Sequence, residues 1–359
     1  MGTSDAPHGG MDIDGARRAK AELAGFLRET VAARPSAQAA ASGPLLALGL
    51  APRPDGGYGV AVRYRLGVPT ARMLARRAAA HAGDVVDVRR TGRIRAVPPT
   101  TPHAGQAREG QGAHRGDGDA PRPRPPVVTA QAVGETGRVR PLRPGVSIAH
   151  VDVTAGTLGA FVRVGGVLHA LSNYHVLAGS PDAREGDVVL QPGPADGGSA
   201  PEDQVGTLAA YVPLDAGAPA RVDAAVALLT DDDVVLEYPA GRVTTTSTVL
   251  GAETVEKIGR TTGTTRGRIT AIELDDVVVG YGPGTGDVSF DGQVEVEGLG
   301  DGPFSRGGDS GSLVYLPGTC AAVGLLFAGS ETGGENGAGL TYVNPIDAVL
   351  EALGAALEG

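Results

Sequence analysis

The chain has 359 residues, enough for two domains, and its 41% of apolar residues can form a substantial core. With no tryptophan and 4% aromatic residues, small aliphatic side chains must fill most of that core. The net charge of −10 argues against a nucleic-acid partner, because such proteins usually present a basic face.

The cysteine content and the hydropathy of the sequence indicate where in the cell the protein is expected. Cys320 is the single cysteine, so neither an intrachain disulfide nor a paired-cysteine metal site can form. Residues 1–10 lack the apolar run of a signal peptide, and no stretch of about 18 apolar residues predicts a membrane span. We therefore expect a cytoplasmic protein without membrane contact, metal or cofactor.

Helical and strand-like patterns alternate in the N-terminal part. After a disordered tail at residues 1–11, they predict helix, strand, strand, helix and strand at 12–34, 45–50, 60–66, 70–81 and 85–88. This order predicts a small α+β domain over residues 1–96. No catalytic constellation occurs in it, so we expect it to bind a partner, regulate the rest of the chain or mediate homo-oligomer formation.

A change in composition separates this part from the rest. Residues 97–126 are rich in Pro, Gly and Arg and contain almost no large apolar residue, which predicts a disordered linker. Short strands with turn residues between them then fill residues 127–359 and predict an all-β pair of barrels. After Asn344-Pro345, a C-terminal helix is predicted from apolar residues at helical spacing, namely Ile346, Val349, Leu350, Leu353 and Leu357.

The most informative stretch is the turn from Arg306 to Ser312, where glycines flank Asp309-Ser310. Glycine lets the backbone bend tightly and lets a substrate carbonyl come close. A serine hydroxyl there can attack a carbonyl, and the backbone N–H groups of Gly308 and Ser310 could hold the resulting oxyanion. The alternative is a glycine-rich hairpin with an ordinary turn serine.

A nucleophilic serine needs a base and an acid that orients the base. Of the seven histidines, His175 stands where a strand stops at a turn, whereas His150 and His169 lie within strand-like alternation and are expected to pack. Asp223 leads into an apolar strand, where a buried carboxylate would need a partner. A surface aspartate at a strand start is the alternative.

The order His175, Asp223, Ser310 is the chymotrypsin order. On three motifs, residues from about 146 to 350 resemble the trypsin-like (chymotrypsin-fold) serine peptidases: Ser172-Asn173-Tyr174-His175-Val176, Val222-Asp223-Ala224-Ala225-Val226 and Gly308-Asp309-Ser310-Gly311-Ser312. The resemblance implies two six-stranded barrels and a C-terminal helix. A closer resemblance, to the intracellular bacterial and plant narrow-leaf-type proteins, lies in Gln191-Pro192-Gly193-Pro194, Gly259-Arg260-Thr261-Thr262-Gly263 and Gly324-Leu325-Leu326-Phe327-Ala328-Gly329-Ser330.

The resemblance implies a serine endopeptidase acting on protein or peptide substrates through an acyl-enzyme. Ser310 would be the nucleophile, His175 the general base and then acid, and Asp223 the group that fixes the imidazole tautomer. Gly308 and Ser310 would form the oxyanion hole. A pseudo-protease that binds or scaffolds is the main alternative, and an esterase or acyltransferase using the same three residues is another.

The resemblance also implies substrate-binding residues: Phe304, Arg306, Phe327, Ala328 and Gly329. Phe304 would lie at the base of the side-chain pocket, and since it is no acid, we expect a small or apolar guest. Arg306 either faces an acidic substrate residue or is solvated, which is the favoured interpretation. Phe327 replaces a serine that often supports the triad acid, a departure that could weaken catalysis. No Ile-Val-Gly-Gly-like start could pair with Asp309, so the enzyme either forms competent or is switched through residues 1–126.

Overall fold

The computed structural model describes residues 10–33, 43–96, 132–282 and 284–359. The predicted linker at residues 97–126 lies outside these ranges, as do residues 1–9 of the predicted tail. Within the described residues, the α-helices are α1 Ile13–Ala32, α2 Pro69–Ala82, α3 Tyr174–Leu177 and α4 Ile346–Leu353. None of the helices in these ranges is long and apolar enough to cross a membrane.

The N-terminal part forms a three-stranded sheet covered by α1 and α2. Its strands are β1 Leu46–Pro52, β2 Tyr58–Arg65 and β3 Val86–Thr91. β1 and β2 form an antiparallel hairpin, and α2 connects β2 to the parallel strand β3. The predicted order of helices and strands is confirmed. The helix α1 begins where Asp12 Oδ1 accepts a hydrogen bond from Gly15 N at 2.6 Å, which caps its first turn.

Two larger sheets follow. Strands of the first are β4 Ser147–His150, β5 Gly156–Thr157, β6 Ala160–Val164, β7 Val167–Ser172, β8 Val188–Leu190, β9 Gln204–Tyr211 and β10 Ala225–Leu229. Short strands come next: β11 Glu237–Tyr238, β12 Gly241–Arg242 and β13 Thr245–Thr246. The remaining strands are β14 Thr254–Gly259, β15 Gly263–Asp275, β16 Val277–Gly280, β17 Asp287–Phe290, β18 Gln293–Gly298, β19 Leu313–Leu316, β20 Ala321–Gly329, β21 Leu340–Pro345 and β22 Ala355–Leu357.

The second sheet closes on itself. Its strands are paired in the order β14-β19-β20-β21-β18-β15, and β15 pairs back with β14, so six strands form a barrel. The first sheet has the order β22-β6-β7-β10-β9-β8-β4-β5 and stays open in the described residues. The predicted all-β architecture with a C-terminal helix is confirmed, with one closed barrel and one half-barrel.

One detail of the C-terminal prediction is wrong. The helix α4 ends at Leu353 because Gly354 adopts a left-handed conformation with φ of 58°, which terminates helices readily. Leu357 therefore does not continue the helical face. It lies in β22 and pairs with Val162 of β6, which ties the chain end back to the first sheet.

Apolar side chains from both sheets pack into a common core. Its buried members include Val162, Leu171, Val222, Val226, Leu313, Leu325, Ile346 and Val349. Val162, Leu171 and Val226 belong to strands of the first sheet, Val222 lies just before β10, and the last four belong to the barrel and α4. The ends of β7 and β20 thus meet at one seam, and the candidate site lies there.

The N-terminal sheet is joined to the barrel without a break. β1 pairs with the far end of β15, so β1, β2 and β3 extend the barrel sheet at its edge. Beneath them, the Arg63 guanidinium and the Glu295 carboxylate form an ion pair at 2.9 Å that is 2% and 0% exposed. Burial lowers the pKa of Arg63, but the attraction of Glu295 outweighs it and raises that pKa above its ordinary value. Arg63 therefore keeps its charge inside the protein.

Candidate active site

A histidine and a carboxylate form a buried pair at the end of β7. His175 lies in the short helix α3, directly after the strand, and its Nδ1 is 2.5 Å from Asp223 Oδ2. The other oxygen, Asp223 Oδ1, accepts a hydrogen bond from the His175 backbone N–H at 3.3 Å. His175 is 3% exposed and Asp223 is fully buried, so the imidazole is held in one orientation by a carboxylate shielded from water.

The backbone of Asp223 is clamped from both sheets. Asn173 Nδ2 donates to the Asp223 carbonyl at 2.7 Å, and Asn344 Oδ1 accepts from the Asp223 N–H at 2.9 Å. Asn344 in turn donates to Gln293 Oε1 at 2.7 Å. Because Asn344 belongs to β21 of the barrel, the position of the carboxylate depends on the docking of the two sheets.

A tyrosine hydroxyl completes the hydrogen bonds of this carboxylate. Tyr281 OH donates to Asp223 Oδ2 at 2.7 Å, and its ring meets that of His175 edge to face at 5.9 Å. Burial and the neighbouring Asp223 charge raise the pKa of Tyr281 well above its ordinary value, so the hydroxyl keeps its proton and remains a donor. Asp223 thus accepts three hydrogen bonds, which a buried carboxylate requires.

Phe327 has no hydroxyl that could donate a hydrogen bond to Asp223, and the Tyr281 hydroxyl donates one instead. Phe327 is fully buried and packs against Phe290 with ring centroids 4.7 Å apart. β20 therefore supplies no side-chain hydrogen bond to the Asp223 carboxylate at Phe327. The hydrogen bond comes instead from Tyr281, the residue that follows β16. Tyr281 was not among the predicted site residues; its one signal in the sequence is an aromatic residue between two glycines.

The Ser310 turn lies against the strand that leads to His175. Thr157 N donates to the Ser310 carbonyl at 2.8 Å, and Ser172 Oγ donates to the Thr157 carbonyl at 2.7 Å. Gly311 has φ of 93°, and a Cβ there would collide with the Ser172 hydroxyl, so glycine is required for this approach. Ser172 is the last residue of β7, three positions before His175. The structure therefore brings the predicted serine and histidine segments together.

Two kinds of polar groups are left without partners here. His175 Nε2 is buried and makes no hydrogen bond to another described residue. Within the same described ranges, the backbone N–H groups of Gly308 and Ser310 also donate to no protein acceptor. Ser310 itself is 4% exposed. The free imidazole nitrogen can accept a proton, and the two free amide donors of the serine turn can stabilise an oxyanion; the structure shows no hydrogen bond between His175 Nε2 and the Ser310 hydroxyl.

Asp309 holds the turn from beneath. Its Oδ1 accepts from Thr261 N at 2.9 Å and Thr262 N at 3.1 Å, and its Oδ2 accepts from Arg306 N at 2.9 Å. Lys257 Nζ lies 3.4 Å from Oδ2, with both side chains fully buried. Burial lowers the pKa of Lys257, and Asp309 opposes that shift. Among the described residues, the partners of Asp309 are thus backbone amides, a threonine hydroxyl and Lys257. Lys257 was not among the predicted site residues.

The predicted substrate-binding residues lie in different surroundings. Phe304 is buried in the barrel core near Val296 and Ile269, and its carbonyl accepts a hydrogen bond from Thr265 Oγ1 at 2.7 Å. Arg306 is exposed, in line with the solvated interpretation. Phe327, Ala328 and Gly329 form the end of β20; Phe327 and Ala328 are buried, and Gly329 is partly exposed.

The two histidines expected to pack have ordinary structural partners. His150 Nε2 lies 3.2 Å from Asp187 Oδ2, and His169 Nδ1 lies 2.8 Å from the Val167 carbonyl. Neither contacts the Ser310 turn through a hydrogen bond. His150 and Asp187 nevertheless form a second His–Asp pair, which offers a control for experiments on the first.

Solved structures with a similar fold are serine proteases. Protease A of Thermobifida fusca is 22% identical, with 60% of this chain and 97% of that chain covered and a TM-score of 0.42. A Nocardiopsis protease is 19% identical, with 61% and 99% covered and a TM-score of 0.43. A Cellulomonas bogoriensis chymotrypsin is 20% identical, with 60% of this chain and 98% of that chain covered and a TM-score of 0.41. No protein-family model and no curated protein sequence matches the chain. The similarity is thus one of fold, to trypsin-like serine proteases at low identity.

Proposed function

We propose that this protein is a serine endopeptidase that hydrolyses peptide bonds through an acyl-enzyme formed on Ser310. The observation that carries the proposal is the buried pair of His175 Nδ1 and Asp223 Oδ2 at 2.5 Å, with Nε2 left without a protein partner. In such a pair the carboxylate holds the proton on Nδ1 and leaves Nε2 free to accept another.

The proposed reaction proceeds in two halves. Ser310 Oγ attacks the peptide carbonyl while His175 Nε2 takes its proton, and Asp223 stabilises the imidazolium. The N–H groups of Gly308 and Ser310 bind the oxyanion of the tetrahedral intermediate. His175 then protonates the leaving amine, and a water molecule hydrolyses the ester by the same route. Lys257 and the two threonines around Asp309 would keep the oxyanion turn in shape without proteolytic activation.

Finer assignments extend this proposal. A small or apolar substrate side chain near Phe304 and kinship with the narrow-leaf-type proteins follow from the sequence resemblance, and a cytoplasmic location follows from the single cysteine. We further propose that residues 127–359 form the protease domain and residues 1–96 a regulatory part, with 97–126 as the linker between them. A partner or a second copy of the chain would act through residues 1–96.

Labelling with a small alkyl fluorophosphonate tests the activated serine directly. We expect one adduct on the full chain by intact mass, absent from Ser310→Ala and retained in Ser199→Ala, which removes an exposed hydroxyl outside the site. Absence of an adduct on the folded full chain would contradict the proposal and favour the binding or scaffold alternative. An adduct together with cleavage of small esters but of no peptide would favour an esterase.

The Tyr281 hydroxyl is expected to contribute to catalysis through Asp223. Replacing Tyr281 by Phe removes one hydrogen bond to a buried charge and should slow fluorophosphonate labelling about tenfold or more. Tyr211→Phe is the matched control, since that hydroxyl donates to the Ala183 carbonyl at 3.2 Å instead. An unchanged rate constant for Tyr281→Phe, measured over a pH series, would show that this hydrogen bond has no part in orienting the pair.

A further inference from the structure

A segment of the N-terminal part lies on the end of β20. Arg95 N donates to the Gly329 carbonyl at 3.0 Å, and Gly329 N donates to the Arg95 carbonyl at 3.2 Å. The two residues form an antiparallel bridge. The segment Gly92–Ala96 therefore adds a short strand to an edge of the barrel sheet, in the manner of a peptide bound by β-augmentation.

This edge leads directly to the candidate nucleophile. Leu326 exchanges hydrogen bonds with the serine turn, donating to the Ser312 carbonyl at 3.0 Å and accepting from Gly311 N at 2.8 Å. Gly329 lies three residues further along β20, which is about 10 Å in an extended strand. Because the bridge is antiparallel, the chain from Arg95 to Ala96 runs towards the serine turn. A peptide presenting its carbonyl to Ser310 in extended form would run along the same edge in the same direction.

The other edge of the segment is also paired. Gly280 N donates to the Ile94 carbonyl at 3.1 Å, and Ala96 N donates to the Gly280 carbonyl at 3.3 Å. Ala96 is 8% exposed and packs in the core cluster that contains Phe327 and Ala328. The segment thus fills the slot between β16 and β20, beside the residue that supports Asp223.

Backbone groups make the contacts that hold the segment on β20. The Arg95 side chain is exposed and forms no ion pair with another described residue, and Arg93 is exposed as well. Any extended peptide offers the same N–H and C=O groups in the same register, whatever its side chains. The segment and a substrate would therefore compete for the same N–H and C=O groups of Gly329.

We infer that Gly92–Ala96 is a built-in occupant of the binding edge for the acyl side of a peptide substrate. The inference rests on the proposed peptidase function and adds its regulation. An extended peptide binds productively only when this segment leaves Gly329. A small reagent that contacts only Ser310 and the oxyanion donors needs no such displacement.

Two phosphonates of different length separate these cases. A small alkyl fluorophosphonate reports the activated serine, and a blocked alanine tetrapeptidyl phosphonate must also occupy the β20 edge. Proline has no N–H, so Arg95→Pro removes the hydrogen bond to the Gly329 carbonyl. We expect this variant to react with the tetrapeptidyl phosphonate about tenfold faster than the parent chain, with the small reagent unchanged.

Arg95→Ala is the matched control. It removes the same side chain but keeps both backbone hydrogen bonds to Gly329, so it should react with both phosphonates as the parent does. Equal tetrapeptidyl rates for the parent and Arg95→Pro, with small-reagent labelling intact, would overturn the inference and leave the peptidase proposal standing. Absence of labelling by the small reagent on the parent would refute both.

A second measurement needs no substitution in the segment. A segment that leaves Gly329 loses the pairing on one of its two sides, which exposes the backbone around Arg93 and Arg95 to trypsin. The parent chain carrying the tetrapeptidyl adduct should be cleaved after these arginines about tenfold faster than the chain carrying the small adduct. Equal cleavage rates for the two adducts would mean that the segment stays on β20 with a peptide bound, and the inference would fail.

Discussion

Asp223→Asn is expected to slow fluorophosphonate labelling and peptide hydrolysis by about 10⁴-fold while leaving the fold intact. An asparagine amide can donate to His175 Nδ1, which favours the tautomer with its proton on Nε2. That nitrogen then cannot accept the Ser310 proton. The substitution conserves shape, but the amide nitrogen takes the position of Oδ2, to which the Tyr281 hydroxyl also donates, so the loss reports the tautomer, the missing charge and the loss of this acceptor. Rate constants for labelling, with circular dichroism to check folding, measure the effect.

The protein supplies its own control for this substitution. Asp187 pairs with His150 at 3.2 Å in the first sheet, and Asp187→Asn makes the same chemical change at a second His–Asp pair. That variant should label at the parent rate. A labelling rate for Asp223→Asn within about tenfold of the parent would contradict the assignment of Asp223 to the triad, because triad acids contribute far more.

Arg63→Ala is expected to lower the free energy of unfolding by about 3–5 kcal/mol. The substitution leaves Glu295 as a fully buried carboxylate whose remaining donors are Thr270 Oγ1 at 2.8 Å and Tyr342 OH at 3.3 Å. Two neutral hydroxyls do not replace a guanidinium that faces both carboxylate oxygens at 2.9 Å. Arg63 is on β2 and Glu295 on β18, so the loss should appear as weaker docking of the N-terminal sheet. Equilibrium denaturation in urea measures it.

An exposed ion pair across the same junction is the control. Arg17 of α1 pairs with Glu273 of β15 at 2.6 Å, with side chains 49% and 36% exposed. Water screens such pairs, so Arg17→Ala should leave the unfolding midpoint unchanged. The double variant Arg63→Met with Glu295→Gln should recover much of the stability, because it removes both buried charges. A loss below about 1 kcal/mol for Arg63→Ala would show that the buried pair does not hold the junction.

Local sequence determined the elements and the triad candidates. Helical spacing predicted α1 and α2 to within two residues, since each buries one apolar face. The motifs around His175 and Ser310 could be found because a turn serine between glycines and a histidine at a strand end are local features. Leu357 was assigned wrongly because the apolar spacing continues past Gly354, whose left-handed backbone ends the helix.

The tertiary structure alone decided which distant groups meet. The hydrogen bond from Tyr281 to Asp223, the pairing of β1 with β15 and the strand that Arg95 adds to Gly329 join segments far apart in the chain. Two of these three contacts are made by backbone N–H and C=O groups, which every residue but proline carries, so no side-chain pattern announces them. The sequence by itself determined the chemistry available at the site, and folding decided what supports that chemistry and what covers it.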